Sequence, residues 1–253
     1  MTITVTNLYR YPVKGMAADE LQKVELRKGG SFPFDRAYAL AHASTGVNKT
    51  NPHWAPPHNF IMLKRDDKLA QLGLDFDEET TTLTVTRRGK PVSRGNLNDQ
   101  MGKTVLESFL AGYLPQGPRG NPKILEAPEG VRFADREQLS VSIINLASLR
   151  DIERVMRRPI DPLRFRANIY IDGTPAWNEN TWVGKTIRIG DVDFDVIEQI
   201  SRCDATNVEP VTGNRDMNIP VTLQNGFGHR QCGIYARVAS NGTISVGDNL
   251  VEP

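Results

Sequence analysis

Leu163-Arg164-Phe165-Arg166-Ala167-Asn168-Ile169 alternates polar and apolar side chains without a break. In an extended backbone that period places Arg164, Arg166 and Asn168 on one face and Phe165, Ala167 and Ile169 on the other. The stretch predicts a strand over residues 163–171 with one face in a core. Two forked guanidiniums and an amide on the opposite face suit a phosphate or carboxylate, which Arg grips at two points where Lys offers a point charge. The ordinary alternative for an R-x-R pattern is a solvated face whose arginines pair with nearby acids.

Upstream of this strand, Leu149, Ile152, Val155 and Met156 share one helical face. Ser148-x-x-Asp151 resembles a capping box, and Arg157, Arg158 and Pro159 mark the end. A free helix N-terminus at Ser148 is a second place for an anion. Downstream, residues 186–189 and 193–197 read as strands, and a final hairpin of residues 233–238 and 243–246 turns at Asn241-Gly242. Residues 3–11, 21–26 and 37–41 alternate as strands, and residues 68–88 as a hairpin around an acidic turn. A helix over residues 102–113 ends at Pro115. Residues 117–130, rich in Pro and Gly, form the best linker, dividing the chain into residues 1–120 and 121–253. The fold class is mainly β, of the α+β kind, with a few helices.

Two further segments carry chemistry. In Ser201-Arg202-Cys203-Asp204 a thiol follows a strand and adjoins an arginine, whose fixed charge favours the thiolate. That thiolate could attack, bind a metal or merely pack, and packing is the commonest fate of an isolated cysteine. In Tyr11-Pro12-Val13-Lys14-Gly15 a turn at a strand end presents Lys14 and backbone N–H groups, and Arg36 follows in Phe34-Asp35-Arg36, where a local ion pair with Asp35 is the plain alternative. The long turn-rich stretch of residues 42–57 reads as a lid.

Composition narrows the function classes. Thirty-one basic against thirty acidic residues leave a net charge of +1, which gives no footprint for nucleic acid or an anionic membrane. No apolar run is long enough to span a bilayer, and the N-terminus lacks the pattern of a signal peptide. Two cysteines among 253 residues point to a reducing compartment, with the cytoplasm as the expected location. Cys203 and Cys232 do not form C-x-x-C, and only His53 and His58 approach a finger-like spacing, which argues against zinc. G-x-S-x-G, Walker and post-strand G-x-G-x-x-G patterns are absent.

In register, these pieces resemble a known family. Leu8-Tyr9-Arg10-Tyr11-Pro12-Val13-Lys14-Gly15, Phe34-Asp35-Arg36, Arg164-Phe165-Arg166-Ala167-Asn168, Ser201-Arg202-Cys203, Val208-Glu209-Pro210-Val211-Thr212-Gly213, Gly233-Ile234-Tyr235 and Gly242-Thr243-Ile244-Ser245-Val246-Gly247-Asp248 are similar to segments of the MOSC proteins (molybdenum cofactor sulfurase C-terminal type), in the branch of the mitochondrial amidoxime-reducing component and its bacterial relatives. The resemblance implies a β-barrel MOSC core behind an N-terminal β-barrel-like module. It implies the molybdenum cofactor, a molybdopterin, with Cys203 as the protein's metal ligand and Lys14, Arg36, Arg166 and Asn168 on pterin and phosphate. Arg202 would stand beside the metal with Ser201, Ser148 would serve at the helix start, and Arg164 joins through its strand face. Asp204 follows the cysteine where an apolar residue is common and would make the site more acidic, Gly15 replaces a frequent serine, and Ala147 replaces a hydroxyl residue. The implied activity is reduction of N-hydroxylated or S-oxide small molecules. Electrons would come from separate ferredoxin- or flavoprotein-type donors, because two cysteines cannot hold an iron–sulfur cluster. A non-catalytic carrier of the cofactor or of sulfur is the alternative.

Overall fold

A computed structural model describes residues 2–114 and 120–253. Its strands are β1 (Ile3–Arg10), β2 (Asp19–Leu21), β3 (Lys23–Leu26), β4 (Tyr38–Ala41), β5 (Leu72–Asp77), β6 (Thr82–Arg87), β7 (Lys90–Asn96) and β8 (Lys123–Glu126) in the first half. Then come β9 (Val141–Asn145), β10 (Ile169–Asp172), β11 (Thr186–Ile189), β12 (Val192–Ser201), β13 (Gln231–Val238), β14 (Gly242–Ser245) and β15 (Asn249–Val251). Helices α1 (Gln100–Tyr113), α2 (Leu146–Met156) and α3 (Ile219–Phe227) complete the α-helical content of the described residues. The fold is mainly β, as the alternation of the sequence requires.

Seven strands close into a barrel in the order β1-β10-β9-β13-β12-β11-β15, with β15 returning to β1. β1 can take part from the N-terminus because its two edges serve different neighbours: β10 lies along one, and β15 and β2 divide the other. Every barrel pair is antiparallel except β9–β10. A parallel pair needs a long crossover, and residues 146–168 with α2 supply it. Inward-facing Val5, Leu8, Ile143, Ile169, Ile171, Phe194 and Ile234 fill the interior, the β-branched and aromatic residues that suit a pleated, curved surface. Outside the barrel, β4 pairs with β8, and β5-β6-β7 form a meander against which α1 lies.

The structure corrects several expectations. Residues 163–171 are not one strand: Pro162–Phe165 is a 3-10 turn and β10 starts only at Ile169. Asp161 accepts from Leu163 N at 2.8 Å with Pro162 in the first turn, and this cap overrides the alternation of the residues that follow. Arg166 ends the turn at φ 53°. Arg164, Arg166 and Asn168 therefore do not share a strand face.

The capping residue of α2 is Asn145, whose side chain accepts from Ala147 N at 3.0 Å; Ser148 lies inside the first turn. The expected final hairpin is absent, because both edges of β13 are taken by β12 and β9 and β14 pairs with β3 instead. Part of the expected linker at 117–130 is strand β8, and residues 117–119 and Pro115 lie outside the described residues. Residues 68–71 form 3-10 helix in place of strand, and β7 extends the expected hairpin to three strands.

Candidate functional site

Where the end of β12 meets the turns after β1 and before β10, a cavity of about 480 Å³ opens. It brings together Lys14, Gly15, Arg36, Arg164, Arg166 and Asn168 with Ser201, Arg202 and Cys203. Eight cationic side chains, among them Lys64, Arg65 and Arg136, line it against two carboxylates, Asp35 and Asp135. In a chain of net charge +1 this concentration is local, and it favours an anionic occupant.

β12 ends at Ser201, and Arg202 N donates to Arg230 O at 2.9 Å, a main-chain tie to the residue just before β13. Cys203 then stands in extended conformation as the cap of a 3-10 turn, Asp204–Asn207. Its carbonyl accepts from Thr206 N at 3.1 Å and Thr206 Oγ1 at 2.9 Å, which fixes the backbone and leaves the thiol at the cavity surface. Cys203 is exposed, so the packed alternative falls. Cys232 is the packed cysteine, and burial pushes its thiol up to about 12.

Arg202 is rooted in the barrel wall: its Nε donates to Cys232 O at 2.8 Å and its Nη1 to Phe165 O at 2.9 Å. Arg36 pairs with Asp35 at 2.5 Å and also donates through Nη2 to Arg166 O at 2.9 Å. The guanidiniums of Arg36 and Arg166 lie 4.6 and 4.3 Å from the centre of the buried Tyr11 ring. Stacking on an aromatic ring offsets part of the cost of burying two like charges together. Lys14 Nζ meets Asp135 Oδ1 at 2.6 Å; burial lowers the affinity of Lys14 for its proton, while the lysine charge holds the Asp135 carboxyl below its ordinary range.

Two of the expected readers are occupied by the fold. The Asn168 carboxamide accepts from Ser142 N at 3.1 Å and Ser142 Oγ at 2.9 Å and donates to Tyr9 O at 3.2 Å, stitching β1 to β9. Arg164 donates to Asp216 Oδ1 at 2.7 Å and Asn207 O at 3.1 Å.

Among the arginines that line the cavity, three buried guanidinium nitrogens nevertheless have no hydrogen-bond partner: Arg164 Nε, Arg166 Nη2 and Arg202 Nη2. Leaving such a group unsatisfied costs about 1–3 kcal/mol or more, and a bound oxyanion would relieve it. Among the described residues no group of three or more His, Cys, Asp or Glu could hold a metal ion. A metal here would have to bring most of its own donors, as one held by pterin dithiolene sulfurs does, and Cys203 offers one soft ligand more. The residues present therefore fit the anionic, metal-bearing pterin that the resemblance implies.

The structure does not bring Ser148 or Asp204 to the cavity. Ser148 Oγ is buried, donates to Glu179 Oε1 at 2.7 Å and accepts from Trp177 N at 2.8 Å. Asn145 Nδ2 donates to Glu179 Oε2 at 3.0 Å, so the start of α2 already has an anion, the chain's own carboxylate. Asp204 is exposed beyond the cysteine. Of the expected lid, residues 42–57, only Pro57 lines the cavity; Val47 and Ala55 are core residues, and Trp54 Nε1 donates to Ala134 O at 3.2 Å. The wall formed by Met62, Leu63 and Lys64 and the Asp135 carboxylate had no spacing to mark them in the sequence, and Tyr11, although part of the Tyr11-Pro12-Val13-Lys14-Gly15 turn, had no role assigned there to its ring.

Comparison with known families decides the relationship. The MOSC domain matches residues 129–251, and the MOSC N-terminal beta barrel domain matches residues 2–111. The chain belongs to the MOSC-domain family. It is 25% identical over 92% of its length to a protein named molybdenum cofactor sulfurase from Caenorhabditis elegans, spanning 33% of that protein. It is 29% identical to mitochondrial amidoxime-reducing component 1 from Mus musculus, over 59% of this chain and 46% of the relative, and 31% identical to that from Homo sapiens, over 56% and 45%. This MOSC protein thus spans a third to a half of the length of these relatives. No helix among its described residues is long and apolar enough to cross a membrane.

The two thiols separate the site from the core experimentally. Native protein should react with one equivalent of a thiol reagent, at Cys203, and with a second only in denaturant, as read by mass spectrometry. Because the Cys232 thiol is raised from 9.0 to about 12 in the folded chain, its contribution to stability is complete below pH 9 and is lost as pH rises from about 9 to 12. Melting curves across that range should fall less steeply for Cys232→Ala than for wild type.

Proposed function

We propose that this MOSC protein binds the molybdenum cofactor in the basic cavity and reduces N-hydroxylated or S-oxide compounds. The observation that carries the reading is the exposed Cys203 thiol in one cavity with the unpartnered Arg166 and Arg202 nitrogens. Arg166, Arg202 and Arg36 would hold the pterin and its phosphate, Lys14 would meet the same anion once released from Asp135, and Cys203 would ligate the metal. The bound cofactor supplies two-electron oxygen-atom removal. The chain's part is to orient it, to keep the guanidiniums charged and desolvated, and to shape the approach through the wall at Met62, Leu63 and Lys64. With only two cysteines in this chain, electrons would arrive from a separate ferredoxin- or flavoprotein-type donor. Two free thiols are in keeping with a reducing, cytoplasmic setting.

The longer similarity to a sulfurase keeps a carrier reading in view. Both readings expect molybdenum on protein from a molybdate-supplied host, measured by elemental analysis. The reductase reading further expects turnover of a hydroxylamine or amidoxime with a chemical electron donor. Cofactor-loaded protein that hands its pterin to an apo-enzyme but shows no such turnover would sink it in favour of the carrier.

A further inference from the structure

Between the cysteine turn and the opposite cavity wall lies one side chain that none of the sequence motifs marks. Arg215 follows the loop that bends back at Gly213, with Val208 and Arg215 paired in a β-bridge. The loop is docked on the N-terminal half of the chain by Val211 N donating to Ala70 O at 3.0 Å and Gln71 Nε2 donating to Thr212 O at 2.9 Å. From there the guanidinium uses all three nitrogens. Nη2 donates to Lys64 O at 2.6 Å and Leu63 O at 3.4 Å, Nε to Asp67 Oδ2 at 3.2 Å, and Nη1 to Asp204 O at 3.4 Å. Leu63 and Lys64 line the cavity on one side, and Asp204 directly follows Cys203 on the other. Arg215 does not itself line the cavity.

We infer that Arg215 is a positioning residue that sets the clearance between the Cys203 thiol and the wall at Leu63 and Lys64, and so the size of small molecule that can reach the thiol. An exposed Arg–Asp pair alone would be worth little, but here the ionic contact with Asp67 is accompanied by contacts to three main-chain carbonyls, Leu63 and Lys64 on one side and Asp204 on the other. Only a planar fork of donors can hold that set; the single ammonium of Lys would keep the Asp67 pair and release the carbonyls. The bridge spans the two family-matched segments, residues 2–111 and 129–251, and ties the wall at Leu63 and Lys64 directly to the residue after Cys203. The inference rests on Cys203 being the reacting group of the proposed site, but its test needs no cofactor.

Cofactor-free full-length protein is labelled at Cys203 with iodoacetamide and, separately, with an iodoacetamide carrying a bulky fluorophore, so that the chemistry is the same and only the size differs. Arg215→Ala and Arg215→Lys should each raise the bulky-to-small rate ratio by about 5-fold or more, since a displacement near 1 Å at a site can change rates by far more. An unchanged ratio in the folded variants overturns the inference, whatever becomes of the reductase reading. Labelling of Cys232 reports any loss of fold. If Arg215→Ala unfolds, the Lys variant decides, and unfolding of that variant as well assigns Arg215 to stability and overturns the positioning role.

Discussion

Cys203→Ala should yield a folded protein that carries less than about a tenth of the wild-type molybdenum and reduces an N-hydroxylated substrate at about 1% of the wild-type rate or less; loss of even an outer-shell partner costs about 10–100-fold at metal sites. The fold should tolerate the change. The side chain is exposed, and the cap of the Asp204–Asn207 turn is made by the Cys203 carbonyl, which alanine retains. A surface substitution of this kind stays within about 0.5 kcal/mol. Cys203→Ser separates ligation from shape, since a hard hydroxyl oxygen fills the same space without the soft donor. It should resemble the alanine variant in activity and the wild type in melting temperature. Elemental analysis, a turnover assay and a melting curve on the same three preparations check this. Full activity and undiminished metal in Cys203→Ala would remove Cys203 from the site.

The unpartnered nitrogens explain why the cavity is built from arginine. Arg166, Arg36 and Arg202 are held by main-chain oxygens or an aromatic ring on one side, and Arg166 and Arg202 each keep one donor free. A guanidinium has enough donors to be anchored and still present one. Asp135 has the opposite role: its carboxylate balances Lys14 as an anionic ligand would.

How much of this was readable from the sequence differs by element. Strand β11 with its strict alternation, β1 with an alternation broken once at Thr6–Asn7, and the strongly periodic helices were legible because local pattern and tertiary burial agree there. The reading of residues 163–171 failed because the Asp161-Pro162 cap is a stronger local signal than a short alternation, and burial there does not alternate: Arg164, Phe165, Ala167, Asn168 and Ile169 are all buried. Arg164, Arg166 and Asn168 nonetheless reach the same cavity, from a 3-10 turn, its left-handed end and the approach to β10 in place of a shared face. Pairing of β14 with β3 was not legible, since it depends on β13 having no free edge, a property of the closed barrel and of no single segment. Asp135, Tyr11 and Arg215 act through partners distant in sequence, and no spacing rule reaches those.

Gly233→Ala is the second large effect, and it shows how the barrel aims the site. Along β12 and β13, Gln199 faces Ile234 and Ser201 faces Gln231. One residue of β12, Ile200, therefore opposes two of β13, Cys232 and Gly233, which is a bulge. Gly233 adopts φ +79°, and a Cβ there would stand 2.6 Å from Ile143 O, 2.9 Å from Ile144 Cδ1 and 3.1 Å from Arg202 Nη2. The left-handed backbone costs an alanine about 1–2 kcal/mol, and forcing a methyl into a filled wall costs about 1–3 kcal/mol more. A loss of about 2–5 kcal/mol in unfolding free energy is the expected outcome in urea titration. The functional loss follows from what the bulge presents: the Cys232 carbonyl that anchors Arg202 Nε at 2.8 Å. Bulges beside sites redirect groups in this way. Filling the space removes the room beside Arg202 Nη2 as well as the anchor's geometry, so Gly233→Ala should lose anion binding at temperatures where it remains folded. Cys232→Ala keeps the carbonyl and the glycine and should retain it. If Gly233→Ala binds phosphate and cofactor as wild type does, Arg202 is not held by the bulge and its free nitrogen is not the contact that the cavity offers.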